Sequence, residues 1–227
     1  MTLDPLFRDR TDAGEQLAEV IQSALNETVA ITGSAPIVYA LPRGGLPVAA
    51  PIARLLGCPL NIVVAKKISH PKNPELAIGA VTASGEVLWS KLASFGDQHL
   101  GQRQAALTEA VAQARSQNSQ LAPACPQINP EGTIAILVDD GIATGMTIAV
   151  AAQALKVFHP AAIWLCAPVA PLSLLPWLQL WSDRVIVLQT PQSFLSVSRF
   201  YAQFPQIETE EALTYLQQQK NWLEARD

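Results

Sequence analysis

Two neighbouring carboxylates, Asp139 and Asp140, end the apolar run Thr133–Val138 and stand directly before Gly141-Ile142-Ala143-Thr144-Gly145-Met146-Thr147. The two halves of this stretch ask for different partners. In the second half, the glycines let the backbone approach a ligand closely, Thr144 and Thr147 offer hydroxyl donors, and the junction into the following apolar helix leaves unpaired N–H groups at a positive dipole end. That half suits a phosphate. The carboxylates would repel a bare phosphate, but as acceptor-only groups they suit a pair of vicinal hydroxyls. A ribose 5-phosphate satisfies both, with its phosphate on the loop and its 2- and 3-hydroxyls over Asp139 and Asp140. The negative pair would also favour positive charge developing at the anomeric carbon.

Competing readings are weaker. The spacing is neither Gly-x-Gly-x-x-Gly nor the Gly-Lys-Ser/Thr of a P-loop, so a dinucleotide or nucleoside-triphosphatase site lacks its pattern. A metal site of two acids ending a strand would need a preceding phosphate loop with lysine, which is missing. A merely capped helix start accounts for one acid, not two.

The elements that must position this loop read as alternating strands and helices. Helical periodicity covers "DAGEQLAEVIQSAL", "GLPVAAPIARLLG" (closed by Gly57), residues 97–117, 145–157, a short piece around "LSLLPWLQLW", and the end of the chain from about 208. Apolar runs at 36–41, 60–65, 133–138, 161–167 and 184–188 read as buried strands, and "LAIGAV" with "EVLW" as a hairpin. Residues 118–132, rich in Asn, Gln, Pro and Ser, read as a linker. Continuous apolar strands between helices predict an α/β fold, a doubly wound, mostly parallel sheet, in one domain spanning 1–227. In such sheets ligands bind beyond the carboxyl ends of the strands, which is where the polar residues fall.

Composition narrows the function. The chain has 227 residues, 49% hydrophobic and 15% charged, and a net charge of -4 from 19 acids and 15 bases, so no basic field would hold nucleic acid. Cys58, Cys125 and Cys166 are scattered, with no zinc or disulfide spacing, which suits a reducing cytoplasm. The opening "MTLDPLFRDR" carries no apolar secretory core. Ala161–Trp181 lacks charge, but Pro168, Pro171 and Pro176 break it into pieces too short to span a bilayer. No membrane association is expected.

Two further segments carry polar chemistry. "ALPRGGLPVA" places Arg43, Gly44 and Gly45 between a strand and a helix, with glycines for close approach and Arg43 as a bidentate phosphate fork. "VAKKISHPKN" gathers Lys66, Lys67, His70 and Lys72, the densest positive cluster in an acidic chain; a solvated surface loop is its plain alternative.

Taken with these segments, "ILVDDGIATGMT" resembles the 5-phosphoribosyl 1-pyrophosphate (PRPP) motif of type I phosphoribosyltransferases. The wider chain is similar to a predicted bacterial group of that family through "FRDRTDAG", "PRGG", "KKI…ELAIGAV" and "FYAQF". The resemblance implies the type I phosphoribosyltransferase fold with a small hood, which falls on residues 189–206 with N-terminal contributions. It implies transfer of the 5-phosphoribosyl group from PRPP to a nitrogen nucleophile, a nucleobase or similar small heterocycle, with release of pyrophosphate. It implies Asp139, Asp140, Arg43 and Lys67 as the catalytic set, Gly44, Gly45 and residues Gly141 and 143–147 around PRPP, and a closing lid bearing Lys66, His70 and Lys72. A strained or cis peptide is expected near Leu41–Gly44. Mg²⁺ is implied as cofactor, held mainly by PRPP with no direct protein ligand, and a homodimer as the assembly. Phe194 and Tyr201, within the aromatic stretch "FLSVSRFYAQF", are the candidates to stack on the acceptor base. The strand "AAIWLCAPVAP" lacks the lysine with which purine-salvage members read a 6-oxo group, so the resemblance does not extend to hypoxanthine or guanine. No side chain presents itself as general base. The alternative within the same fold is a non-catalytic PRPP or nucleotide sensor, and a hydrolase or phosphorylase acting on phosphorylated ribose is a third reading.

Overall fold

The apolar runs at 36–41, 133–138, 161–167 and 184–188 become strands of one sheet whose residues are packed on both faces. The computed structural model describes residues 5–90 and 100–225. In chain order the first elements are α1 (Arg10–Thr32), β1 (Pro36–Ala40), α2 (Gly45–Leu56), β2 (Leu60–Ile62), β3 (Ala65–His70), β4 (Asn73–Thr82) and β5 (Val87–Trp89). They are followed by α3 (Leu100–Leu121), β6 (Ile134–Val138), α4 (Met146–Lys156), β7 (Ala162–Val169), α5 (Leu175–Leu178), β8 (Arg184–Gln189) and α6 (Thr209–Glu224).

The central sheet has the order β2-β1-β6-β7-β8, and every neighbouring pair is parallel. Side chains alternate across it. Val38, Ala40, Ile136, Val138 and Cys166 face a core with Leu17 and Ile21 of α1, Val48 and Ile52 of α2, and Leu216 of α6. Ile37, Tyr39, Leu137 and Leu165 face the opposite core with Ile148 and Leu155 of α4 and Leu178 of α5. The sheet is therefore covered on both sides, as a parallel sheet requires.

This strand order has a consequence for ligands. β1 continues outward to β2 through α2 on one face, and β6 continues to β7 through α4 on the other. Neighbouring strands whose connections depart to opposite faces leave a crevice between their C-terminal loops, and a ligand site is expected there. The loops flanking that crevice are residues 41–44 and 139–145.

Several boundaries differ from the sequence expectation. The run 60–65 is not one strand. Leu60–Ile62 pairs with β1, and from Ala65 the chain joins a separate antiparallel sheet, β3-β4-β5. A β-branched run has no local feature that says where a strand changes partner. The lysine segment expected as a lid loop is largely strand β3, with Lys66 opposite Val81 and Lys67 opposite Ala80. The expected hairpin is present as β4 and β5, with Gly79 opposite Trp89. Helix α3 runs to Leu121, into the stretch read as linker, because Ala114 and Leu121 are fully buried against the core. The expected helix start at Asp97 falls outside the described residues. Gly57, at φ 64°, closes α2 as expected. The uncharged 161–181 region resolves into β7, a 3-10 turn and the four-residue α5, and no helix among the described residues is long and apolar enough to cross a membrane.

The segment before α1 meets the stretch between β8 and α6. Phe7 bridges Tyr201, and Ala202 and Gln203 donate backbone N–H bonds to the carbonyls of Phe7 and Arg8 at 2.8 Å each. This clasp packs Phe7, Phe200 and Tyr201 beside Val169 at the C-terminal end of β7.

Candidate functional site

Asp139 and Asp140 leave β6 at the crevice. Asp139, one step beyond the paired residues of β6, donates its N–H to the Cys166 carbonyl at 3.3 Å, and its Oδ1 accepts the Asp140 N–H at 2.9 Å. The Asp140 Oδ2 accepts from Nε of Arg10 at 2.8 Å, and the Asp140 carbonyl accepts from the Tyr201 hydroxyl at 2.6 Å. Burial raises the Asp139 pKa well above the ordinary carboxylate range, and the neighbouring Asp140 charge adds to it. Burial raises Asp140 too, opposed by the charge and hydrogen bond of Arg10.

The loop after the pair is shaped by what surrounds it. Ile142 donates to the Val169 carbonyl at 2.9 Å, pinning the turn to β7, while Ala143 and Thr144 are exposed. Gly145 caps α4 at φ 75°, in the left-handed region, and a Cβ there would lie 2.5 Å from Trp177 Cζ3. Helix α4 has no side-chain N-cap. Its first N–H groups therefore face the loop without competition from a capping oxygen, a favourable arrangement for an anion.

The Pro42–Arg43 peptide is cis, within the window expected for one. Behind it, Gly44 packs so closely on the carboxylate pair that a Cβ would lie 2.2 Å from Asp140 Oδ2; at Gly45 a Cβ would meet the Val138 carbonyl at 2.7 Å. The two glycine positions are what allow the turn after β1 and the turn after β6 to share the crevice. Arg43 Nη1 donates to Thr209 Oγ1 at 3.1 Å and lies 4.0 Å from Glu208 Oε2. Thus the start of α6 restrains this arginine from the far end of the chain.

The lysines separate. Lys66 is half-buried and lines a cavity of about 440 Å³ with Arg43, Gln113, Ser116 and Gln117. Burial, and then the Arg43 charge, lower its pKa. Lys67 is exposed and lines a different cavity, of about 510 Å³, with Ser69, His70, Gln102 and Glu109. Adjacent strand residues point to opposite sides, so only one of the two can accompany Arg43, and that one is Lys66 rather than the expected Lys67. His70 Nδ1 accepts the Lys72 N–H at 3.0 Å, and Lys72 is exposed.

The aromatic expectations also separate. Tyr201 is buried, with its ring between Phe7 (centroids 5.4 Å) and Phe204 (4.9 Å) and its hydroxyl on Asp140. It has no free face for a base, and its placement is that of a support beneath the carboxylate loop. Phe194 is half-buried, stacked on Phe200 at 5.5 Å and 25°.

Arg10 is the residue that motif reasoning passed over. A cation in the first turn of a helix opposes the dipole, so the arginine of "FRDRTDAG" carried a signal that something else holds it there. Among the described residues no group of three His, Cys, Asp or Glu side chains converges on a metal position.

A family model described as phosphoribosyl transferase domain matches residues 9–176. Two Mycobacterium tuberculosis proteins, from strains CDC 1551 / Oshkosh and H37Rv and each named "Putative phosphoribosyl transferase", are 32% identical over 93% of this chain. The chain spans 46% of their length, about half of the curated relatives it matches. The crystal structure of TT1426 from Thermus thermophilus is 32% identical, covers 93% of this chain and 98% of its own, and superposes with a TM-score of 0.73. With the matched span running from the Arg10 helix through both crevice loops to α5, the chain belongs to the phosphoribosyl transferase domain family.

Proposed function

We propose that the chain transfers the 5-phosphoribosyl group of PRPP to a nitrogen nucleophile, a nucleobase or similar small heterocycle, and releases pyrophosphate. The observation that carries this reading is the convergence, at the β1/β6 crevice, of two adjacent carboxylates, an uncapped helix start and a glycine turn bearing Arg43. In this reading the 5-phosphate lies on residues 143–147, and Asp139 and Asp140 accept hydrogen bonds from the ribose hydroxyls. Ionised carboxylates below the ring stabilise positive charge at C1 as the bond to pyrophosphate breaks. Arg43 and Lys66, which share one cavity, carry the counter-charge for the departing group. Phe194 and the segment 189–206 remain the proposed acceptor wall, with Phe7–Arg10 as its N-terminal part.

The family generally pairs Mg²⁺ with PRPP. A hydrated ion of this kind suits the carboxylate oxygens of Asp139 and Asp140 at the crevice, because it takes oxygen ligands and keeps much of its water. When bound, it supplies charge neutralisation on the pyrophosphate. No protein ligand is assigned to it.

The test is calorimetric titration with PRPP and Mg²⁺, followed by pyrophosphate release across a panel of heterocycles. Binding is expected in the micromolar range and lost in Asp139→Asn/Asp140→Asn. Undiminished binding in the double variant removes the ribose assignment; tight binding with no release for any acceptor favours a sensor over a transferase.

A further inference from the structure

Arg10 is 7% exposed, yet it lies in the first turn of α1, where the helix dipole disfavours a cation. Three contacts hold it. Nε donates to Asp140 Oδ2 at 2.8 Å, Nη1 donates to the Pro205 carbonyl at 2.6 Å, and the guanidinium stacks 3.6 Å from the centroid of the Phe204 ring. The ring is in turn packed on Tyr201, whose hydroxyl holds the Asp140 carbonyl. The Asp140 residue is therefore gripped twice, at its carbonyl by the stretch between β8 and α6 and at one carboxylate oxygen by α1. Only one oxygen of that carboxylate is engaged by Arg10.

We propose that Arg10 is a positioning residue for the phosphoribosyl site: it fixes the Asp140 carboxylate by one oxygen so that the other is presented to a ribose hydroxyl. This rests on the reading of the Asp139–Asp140 pair as the ribose subsite. Two geometric facts favour a dedicated role. The contact joins positions 130 residues apart, and its partners Phe204 and Pro205 have their own backbone clasp to Phe7 and Arg8 through Ala202 and Gln203. Gly44 packs against the same oxygen, since a Cβ there would lie 2.2 Å from Oδ2 and 3.5 Å from Oδ1. The oxygen that Arg10 holds is thus also the one the Gly44 backbone confines, and Oδ1 is the oxygen left for a ligand. Among the described residues, the titratable groups that act on the Asp140 carboxylate besides Arg10 are Asp139 in the same loop and Tyr201 in the C-terminal segment, while Tyr215 on α6, with Asp9 and Glu211 near it, faces Arg10.

The experiment uses the full chain with Arg10→Gln, Arg10→Lys and Phe204→Leu. In the ligand-free protein, the Asp140 carboxyl carbon is followed by ¹³C NMR against pH. Arg10→Gln is expected to move its titration to higher pH, because the charge that favours ionisation is gone. Arg10→Lys should stay closer to wild type. PRPP affinity in Arg10→Gln should fall about tenfold or more near neutral pH and recover in part as pH rises, which loss of folding would not do. Phe204→Leu, with the ion pair intact, should show a smaller loss.

An Asp140 titration and PRPP affinity unchanged in folded Arg10→Gln overturn the proposal. If Arg10→Gln does not fold, Arg10→Gln/Asp140→Asn decides: the double variant should fold and bind PRPP as Asp140→Asn does, whereas a further loss of binding overturns the proposal. Absence of PRPP binding by wild type would sink the ribose reading, while the carboxyl titration would still report on Arg10.

Discussion

The closeness of Gly44 to Asp140 allows a quantitative test through a single methyl group. Gly44 has φ -61° and ψ -32°, an ordinary right-handed helical conformation, so alanine meets no backbone penalty there. The only obstacle is steric: the new Cβ would lie 2.2 Å from Asp140 Oδ2 and 2.9 Å from Cγ. A flexible side chain would swing away at little cost, but this carboxylate is held by Arg10 at 2.8 Å, and the side chains of Arg10 and Asp140 are 8% and 16% exposed. Making room therefore removes a charge-assisted hydrogen bond from a largely buried pair, a loss of about 1.5–3 kcal/mol. Against this, restricting the unfolded chain stabilises by about 0.4–1 kcal/mol. The net destabilisation is on the order of 1–2 kcal/mol, a fall in melting midpoint of roughly 2–8 °C for a domain of this size. PRPP affinity should fall by an order of magnitude or so as the displaced carboxylate leaves the proposed ribose subsite. In an Asp140→Ala background the clash disappears, and Gly44→Ala should become neutral or stabilising. Differential scanning calorimetry of the four proteins measures the cycle. A Gly44→Ala protein as stable as wild type, with equal PRPP affinity and no coupling to Asp140, would refute the packing argument.

Gly145→Ala forces a side chain into φ 75° and against Trp177 at 2.5 Å, so a loss on the order of 2–4 kcal/mol is expected from backbone and overpacking together. Thermal melting checks it, and an unchanged midpoint would show that the turn relaxes. Tyr39 is 3% exposed and its hydroxyl has no hydrogen-bond partner among the described residues, so Tyr39→Phe should stabilise by about 1 kcal/mol in denaturant titrations. Burial also pushes the Tyr39 pKa from 10.0 up to about 12. Below the lower value both folded and unfolded chains keep the proton; as pH rises beyond it the unfolded chain ionises first, and stability falls. The Phe variant should lack that part of the alkaline loss, and parallel alkaline profiles for the two proteins would contradict it.

The carboxylate loop was legible because its chemistry is local. Two acids, two glycines and two threonines within a few positions define acceptors, a curled backbone and donors whatever the rest of the chain does. The buried strands were legible for a similar reason, since parallel strands covered on both faces read as unbroken apolar runs. Choices that depend on distant partners were not. The run 60–65 looks uniform, but β1 pairs with Leu60–Ile62 and β4 takes the chain from Ala65. Lys66 and Lys67 are equivalent in sequence, and only the pairing of β3 turns one toward Arg43. Tyr201 looked like a free aromatic until Phe7 and Phe204 covered its ring.

By itself, then, the amino-acid order determined the types and spacing of the groups proposed to meet a phosphorylated sugar, together with the α/β pattern that carries them to strand ends. Tertiary structure alone decided which loops face each other, because the crevice arises from the order β2-β1-β6-β7-β8 and not from any segment. It also decided that Arg10 reaches Asp140 across 130 positions, a contact that burial and charge pairing make favourable only once the segments of Phe7 and Tyr201 are clasped together.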